Sequence, residues 1–444
     1  MNSSHKPAAD RRVSTTPLRV GVAGLGTVGV GVVEILRDHA AMIAARAGRP
    51  VVVTAVSARD QGRDRGISLA GLGWEDDAAA LAARDDVDVV VELIGGSEGP
   101  ALHLARATLG RGKAFVTANK AMIATHGPEL AAAAEDAGVA LAFEAAVAGG
   151  IPILKTLREG LAANAITRVY GILNGTCNYI LTEMRTTGRD FADVLTQAQA
   201  LGYAEADPTF DVDGIDTAHK LSILAALAFG GRPDIGAIHV EGIRHVTIDD
   251  IRFAEELGFR IKLLGVARMT DHGLEQRVHP SMVPLSAPVA HVEDVFNAVV
   301  AEGDAVGTTM SQGRGAGRGP TASAVVADLV DIARGCVTPG FSVPAAALGQ
   351  HPSAPIEAHQ GAFYIRLMVL DQPGVLADVA RAFAVEHVSL ESLIQRGRSA
   401  VEAVPVVLTT HATAEAALRR ALDVIAALPA VIEPPRMIRI ERSL

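Results

Sequence analysis

Leu18-Arg19-Val20-Gly21-Val22-Ala23-Gly24-Leu25-Gly26-Thr27-Val28-Gly29 decides how the first half of the chain is read. A Val-rich apolar run, Leu18–Ala23, gives way at Gly24 to a GxGxxG turn that opens a helical stretch, Val28–His39. Gly24 permits the tight turn, Gly26 lets backbone amides approach a pyrophosphate, and Gly29 lets helix and strand pack closely. The helix start adds oriented N–H groups and partial positive charge. A lone GxGxxG is a weak signal whose bland reading is a structural turn. With a strand before it and a helix after it, Gly24, Leu25, Gly26, Thr27, Val28 and Gly29 form the expected dinucleotide cradle.

The surrounding sequence repeats the same unit. Val51–Val56, Val87–Ile94, Ala114–Ala118 and Val139–Glu144 are further compact apolar runs, separated by helical stretches such as Pro128–Ala137. Strands spaced by helices imply crossovers and a parallel, doubly wound sheet, and strands apolar at consecutive positions fit a sheet covered on both faces. The second run ends Val56-Ser57-Ala58-Arg59, where an NAD-specific site would place an acid for the ribose hydroxyls. Ser57 and Arg59 suit a 2′-phosphate, with Arg63 and Arg65 close behind, although Asp60 and Asp64 dilute the charge. NADP is therefore the expected cofactor and NAD the alternative.

From Gly149 to about Met310 the texture changes to a mixed sheet, with strands such as Arg168–Leu173, Ile261–Arg268 and Glu275–Pro280 and helices near Phe191–Ala200 and Asp216–Ala228. Gly313–Pro320 reads as a glycine-rich loop opening a helix, Thr321–Ile332. Thr338–Gln360 carries four prolines and reads as a linker. Phe363–Ile440 then reads strand, helix, strand, strand, helix, strand.

The densest chemistry lies in Ala200–Lys220, ALGYAEADPTFDVDGIDTAHK, with five carboxylates in twelve residues ahead of one lysine. Asp216 and Lys220 fall at i and i+4 on one helical face. As a surface pair this would be worth only about 0.3–0.5 kcal/mol. The helix continues, however, as Leu221, Ile223, Leu224, Leu227 and Phe229, so it is predicted to be buried and its charged end to face a cleft.

This segment resembles the diagnostic motif of homoserine dehydrogenases, Gly-Tyr-x-Glu-x-Asp-Pro followed by Asp-x-x-Gly-x-Asp-x-x-x-Lys. GLGTVG at Gly24–Gly29, ANKA at Ala118–Ala121, FEAAVAGGIPI at Phe143–Ile153 and NGTCNYIL at Asn174–Leu181 stand in the family's order. The resemblance covers about Leu18–Ile332, and Phe363–Ile440 resembles the ACT regulatory module of many bacterial members. It implies an α/β chain with a Rossmann-type doubly wound nucleotide-binding domain (18–148), an α+β catalytic and dimerisation domain (149–320) and a C-terminal ferredoxin-like ACT domain (361–444). Residues 1–17 are read as a disordered tail, 321–337 as a helix returning to the core and 338–360 as a linker. A form fused to aspartokinase is not expected, since nothing long precedes the dinucleotide fold.

The resemblance also implies a reaction, the NAD(P)-dependent interconversion of L-homoserine and L-aspartate 4-semialdehyde on the way to threonine, methionine and isoleucine. Reducing an aldehyde builds negative charge on oxygen, so a cation or proton donor must sit there. Lys220 matches the family's general acid/base and Lys120 a second active-site lysine that is the alternative donor. Glu205 and Asp216 match carboxylates that hold the substrate, with Asp211 a nearby candidate. Arg59, Gly96, Lys120, Gly202 and Gly317 extend the cofactor set. Glu144, Val147, Gly149 and Ile151 match a monovalent-cation site, usually sodium, built mainly from backbone carbonyls; read without the family, the same stretch is strand, turn and Pro-capped helix. In the ACT module, Asp371, Gly374, Val375 and Leu376 offer a carboxylate and free amides to an amino acid, threonine being the expected effector; the plain alternative is a tight Pro-Gly turn. ACT modules imply a homodimer or homotetramer.

Composition agrees with a soluble enzyme. Apolar residues make up 49% of 444, and the formal charge of −10 argues against nucleic acid or anionic membrane as partner. Cys177 and Cys336 have no CxxC spacing, which points to a reducing cytoplasm and not to a disulfide framework or zinc site. Two rivals follow. Aspartate-semialdehyde dehydrogenase would need a cysteine nucleophile, for which Cys177 is the candidate. An amino-acid-sensing ACT protein with an inactive dinucleotide fold would not need Lys220, Glu205 or Lys120.

Overall fold

Alternating apolar strands and helices in the first 150 residues produce the expected parallel sheet. The computed structural model describes residues 14–396, 399 and 402–444; residues 1–13 of the expected tail lie outside them. Strands β1 (Leu18–Ala23), β2 (Val51–Ser57), β3 (Gly73–Glu75), β4 (Val89–Glu92), β5 (Ala114–Thr117) and β6 (Leu141–Ala142) line up in the order β3-β2-β1-β4-β5-β6. Every pairing is parallel. The order reverses beside β1, which puts the glycine turn after β1 at the switch point where such sheets bind ligands. Val20, Val22, Val89, Val91 and Val116 are buried, joined by Leu329 and Val325 of the helix Arg318–Ala333.

The chain divides into two units. One contains the described residues up to Ala162, Ala226–Pro233 and Arg314–Gly349; the other contains the described residues of Ala163–Ala225, Asp234–Gly313 and Gln350–Leu444. The second unit is built on a long mixed sheet of strands β7 (Ile166–Ile172), β8 (His239–Val240), β9 (Phe259–Thr270), β10 (Gly273–Pro284), β11 (Phe296–Gly303), β12 (Gly307–Arg314), β13 (Gln360–Leu370), β14 (Leu390–Gln395), β15 (Ala403–Thr410), β16 (Thr413–Ala414) and β17 (Arg436–Ile440). Among the described residues the path is β12-β11-β7-β9-β10-β17-β13-β15-β14, with β8 beside β10 and β16 beside β13.

The C-terminal βαββαβ module therefore shares one sheet with the catalytic half. Its last strand, β17, lies between β13 of the module and β10, pairing Ser281 with Arg439 and Met282 with Ile440. The module has its own core, including Phe363, Leu367, Val379, Phe383, Leu408 and Leu418. Ion pairs seal the seam. Arg277, 1% exposed, donates to Glu441 (2.5 Å) and Glu275 (2.7 Å). Arg439, equally buried, donates to Glu415 (2.6 and 2.8 Å) and Glu241 (3.0 Å). Asp250 accepts from Tyr364 and Arg366 (2.9 and 2.8 Å).

Some elements differ from the sequence reading. The helix expected from Pro128 starts at Lys120, capped by Asn119, and Pro128 lies inside it. Strands β3, β11 and β12 were not anticipated. The glycine-rich stretch expected as a loop over Gly313–Pro320 is shorter, because β12 runs through Arg314 and the next helix begins at Arg318. Within 338–360 the chain makes short turns at Ala345–Ala347 and Ile356–Ala358, and Gly349 bridges to Gly231.

Candidate active site

The glycine turn has the geometry its three positions require. Gly24 has φ +99°, and a Cβ there would fall 2.5 Å from the Leu93 carbonyl oxygen; one on Gly29 would fall 1.9 Å from that of Gly24. A Cβ on Gly26 would meet open space, so the backbone there is open to approach from outside. Gly26 is the N-cap of the helix Thr27–Asp38. Leu25 is buried behind this turn, while Thr27 is exposed and Val28 half-buried.

Two residues that the sequence reading passed over organise the same end of the sheet. The buried Glu92 carboxylate accepts from the backbone N–H of Ile94 (2.6 Å) and Gly95 (2.9 Å) and from the Thr117 hydroxyl (2.5 Å). Asn119 donates from Nδ2 to the carbonyl of Gly96 (2.6 Å) while its Oδ1 caps Met122 N (3.1 Å). These bonds fix Gly96 beside the first turn of the helix that begins at Lys120. Lys120 itself is half-buried. Arg59 is exposed after β2. Arg65 is committed elsewhere, donating to the carbonyls of Asp60 and Arg63 and lying 5.7 Å over the Trp74 ring. Gly317, φ +120°, is the N-cap of the helix Arg318–Ala333.

In the same unit, Glu144 is 3% exposed and its carboxylate accepts from Leu154 N and Lys155 N, both 2.9 Å. Burial and the neighbouring Asp328 push this carboxyl up to about 7, against the two backbone donors. Its side chain is thereby tied to the start of the following helix. Val147, Gly149 and Ile151 follow in a buried turn made by Ala148 at φ +51°. Among the described residues no cluster of three or more His, Cys, Asp or Glu side chains is placed to hold a metal.

The second unit holds the carboxylate–lysine segment. Asp216 and Lys220 sit one turn apart on the helix Ile215–Phe229, 4% and 9% exposed. Lys220 Nζ donates to Asp216 Oδ2 and to the Leu173 carbonyl, each at 2.7 Å. Asn174 Nδ2 donates to Asp211 Oδ1 and Asp216 Oδ2, each at 2.8 Å. Lys220, Asp216 and Asp211 are thus brought together. Glu205 is exposed on the preceding loop, with its carbonyl accepting from Gln199, and Gly202 turns that loop at φ +74°. His219 bonds back to Ile215 O (3.0 Å) and lies against Phe210, off the lysine's face.

Cys177 is fully buried, and its thiol donates to the Asp211 carbonyl (3.2 Å). Burial pushes that thiol well above its usual range. A buried neutral thiol is no nucleophile, which removes the footing of the thiohemiacetal rival.

In the C-terminal module, Asp371, Gly374, Val375 and Leu376 line one cavity of about 320 Å³. Gly374, φ +100°, is the N-cap of the helix Val375–Val385, and Gln395 donates to Asp371 (3.0 Å). The four residues expected to bind an effector therefore share a cavity.

A dinucleotide-type sheet, a buried lysine–carboxylate cluster and an appended βαββαβ module define a nucleotide-dependent oxidoreductase with an additional C-terminal module. The homoserine dehydrogenase family description matches residues 152–330, its NAD-binding domain 24–144, and the ACT domain 363–430. The homoserine dehydrogenase of Pseudomonas aeruginosa is 47% identical over 433 residues, 96% of this chain and 99% of that protein. That of Neisseria gonorrhoeae is 46% identical with the same coverage. The crystal structure of a homoserine dehydrogenase from Thiobacillus denitrificans superposes with a TM-score of 0.91 at 46% identity, covering 96% of this chain and 99% of that one. The chain belongs to the homoserine dehydrogenase family, NAD(P)-dependent oxidoreductases acting on a CH–OH group. Among its described residues, no helix is long and apolar enough to cross a membrane.

Proposed function

We propose that Lys220 is the acid/base of homoserine oxidation and of the reverse reduction of L-aspartate 4-semialdehyde. The observation that carries this is the pair of bonds from buried Lys220 to Leu173 O and Asp216 Oδ2. They commit two of the three ammonium protons. The third is engaged by no described residue and is left for the substrate oxygen. The bound nucleotide supplies the hydride to the aldehyde carbon in the biosynthetic direction. Lys220 then gives its proton to the oxygen, completing the hydroxyl, and takes one back in the oxidative direction. Glu205, Asp216 and Asp211 hold the substrate's ammonium and hydroxyl groups; Lys120 is the alternative proton donor.

The nucleotide is NADP by preference, with Arg59 on its 2′-phosphate and Gly24–Gly29, Gly96, Gly202 and Gly317 at its backbone contacts. A sodium ion held by carbonyls of Glu144, Val147, Gly149 and Ile151 fits the turn at Ala148, since hard oxygen ligands suit it. Threonine in the Asp371–Leu376 cavity is the feedback inhibitor of a cytoplasmic homodimer or homotetramer serving threonine, methionine and isoleucine synthesis. The test is direct. Purified protein given L-homoserine and NADP should form reduced nucleotide, and kcat/KM should be higher with NADP than with NAD; no turnover with either nucleotide overturns the proposal.

A further inference from the structure

The bonds that hold Lys220 and Asp216 meet at a side chain outside the sets assigned above. Asn174 is 4% exposed and stands at the start of the helix Gly175–Thr187. Its Oδ1 accepts from Cys177 N (2.8 Å), which caps that helix. Its two Nδ2 protons go to Asp211 Oδ1 and Asp216 Oδ2. Chemistry fixes the amide's orientation: reversed, its oxygen would face two carboxylates and its NH2 would face a backbone N–H. A cap accounts for Oδ1 alone and leaves both Nδ2 bonds unexplained. Asp216 Oδ2 is also the acceptor for Lys220, and the carbonyl just before Asn174, that of Leu173, takes another Lys220 proton. Two carboxylates converging on one site repel and favour protonation unless a shared donor bridges them.

We infer that Asn174 is a positioning residue for the proton transfer: its amide holds Asp211 and Asp216 together as ionised acceptors and, through Asp216, fixes the Lys220 ammonium. The inference rests on the assignment of Lys220 to proton transfer. Asn174→Asp separates capping from positioning. The substitution is nearly isosteric and caps a helix as well as asparagine does. It removes both N–H donors and sets a third carboxylate against the other two. Its kcat should fall at least ~10-fold above neutrality while KM for the nucleotide stays within about twofold. The deficit against the parent should narrow as pH falls, because a protonated introduced carboxyl regains one donor. A purely capping role predicts no deficit and no such pH dependence, so parent-like kcat across the pH range overturns the inference.

Should circular dichroism show Asn174→Asp unfolded, Asn174→Ser decides. Serine also caps, but its hydroxyl is too short to span both carboxylates, so a similar loss is expected and parent-like kcat overturns the inference. Lys220→Met is assayed beside them. If it keeps parent-like kcat, the lysine assignment falls and this inference with it. An inactive Lys220→Met beside a parent-like Asn174→Asp overturns the inference alone.

Discussion

Lys220 Nζ lies 2.7 Å from Asp216 Oδ2, one helical turn away, and both side chains are buried. At a surface this i,i+4 spacing is worth a few tenths of a kcal/mol. Under burial, removing either charge leaves the other without its partner, at a cost of about 3–5 kcal/mol. Beyond that stability cost, Asp216→Asn takes away a proposed substrate carboxylate and the partner that orients Lys220, so it should lower kcat/KM for homoserine by at least ~100-fold and leave nucleotide affinity within about twofold. Steady-state kinetics beside a nucleotide titration checks both.

Nucleotide choice should follow Arg59. Arg65 is tied to backbone carbonyls and the Trp74 face, which leaves Arg59 the better-placed cation. Arg59→Asp should repel a 2′-phosphate and shift the NADP/NAD ratio of kcat/KM by about ten- to a hundredfold toward NAD, the equivalent of roughly 1.5–3 kcal/mol. An unchanged ratio would move the discrimination to Arg63 or to backbone contacts.

Feedback should depend on Asp371. Asp371→Ala should weaken inhibition by threonine and leave uninhibited kcat unchanged, as expected if the effector acts by differential affinity for two states. Dose–response curves measure this. A full-length enzyme indifferent to millimolar threonine would leave the module an assembly element. Truncation near Pro344 is a poor substitute, because it removes β17 from beside β10 and strips Glu441 from buried Arg277.

The seam around Arg439 should be pH-sensitive in a defined direction. Burial raises the Glu241 carboxyl, but His239 and Arg439 outweigh it and hold it at about 2. A carboxylate depressed on folding contributes stability above its unfolded pKa and loses it as pH falls toward the folded value. Arg439→Met should cost about 3–5 kcal/mol near neutrality, and the gap in urea midpoint from the parent should close as pH drops below about 4.5. A gap that widens in acid would refute the assignment.

The dinucleotide half was legible because its strands are apolar at consecutive positions and its glycines mark the turn. Pro128 hid the true start of its helix, since a proline suits a first helical turn and drew the boundary eight residues too late. Strand β12, Gly-Thr-Thr-Met-Ser-Gln-Gly-Arg, has no apolar alternation to betray it. The pairing of Asp216 with Lys220 was readable from their i,i+4 spacing, whereas Asp211 joined them through the family resemblance. The groups that hold them, the donating amide of Asn174 and the accepting carbonyl of Leu173, come from 37 to 47 residues away. Nothing in the sequence marks Arg277 and Arg439 as buried, because their burial goes with the pairing of β17 and β10.

Buried Lys220 is the group proposed to move the proton. Lys220→Ala, assayed for NADP-dependent homoserine oxidation with nucleotide binding measured in parallel, tests it most directly. Its kcat should be lower by about 10²- to 10⁴-fold with nucleotide affinity nearly unchanged. A variant that keeps more than about a tenth of the parent kcat would contradict it and pass the role to Lys120.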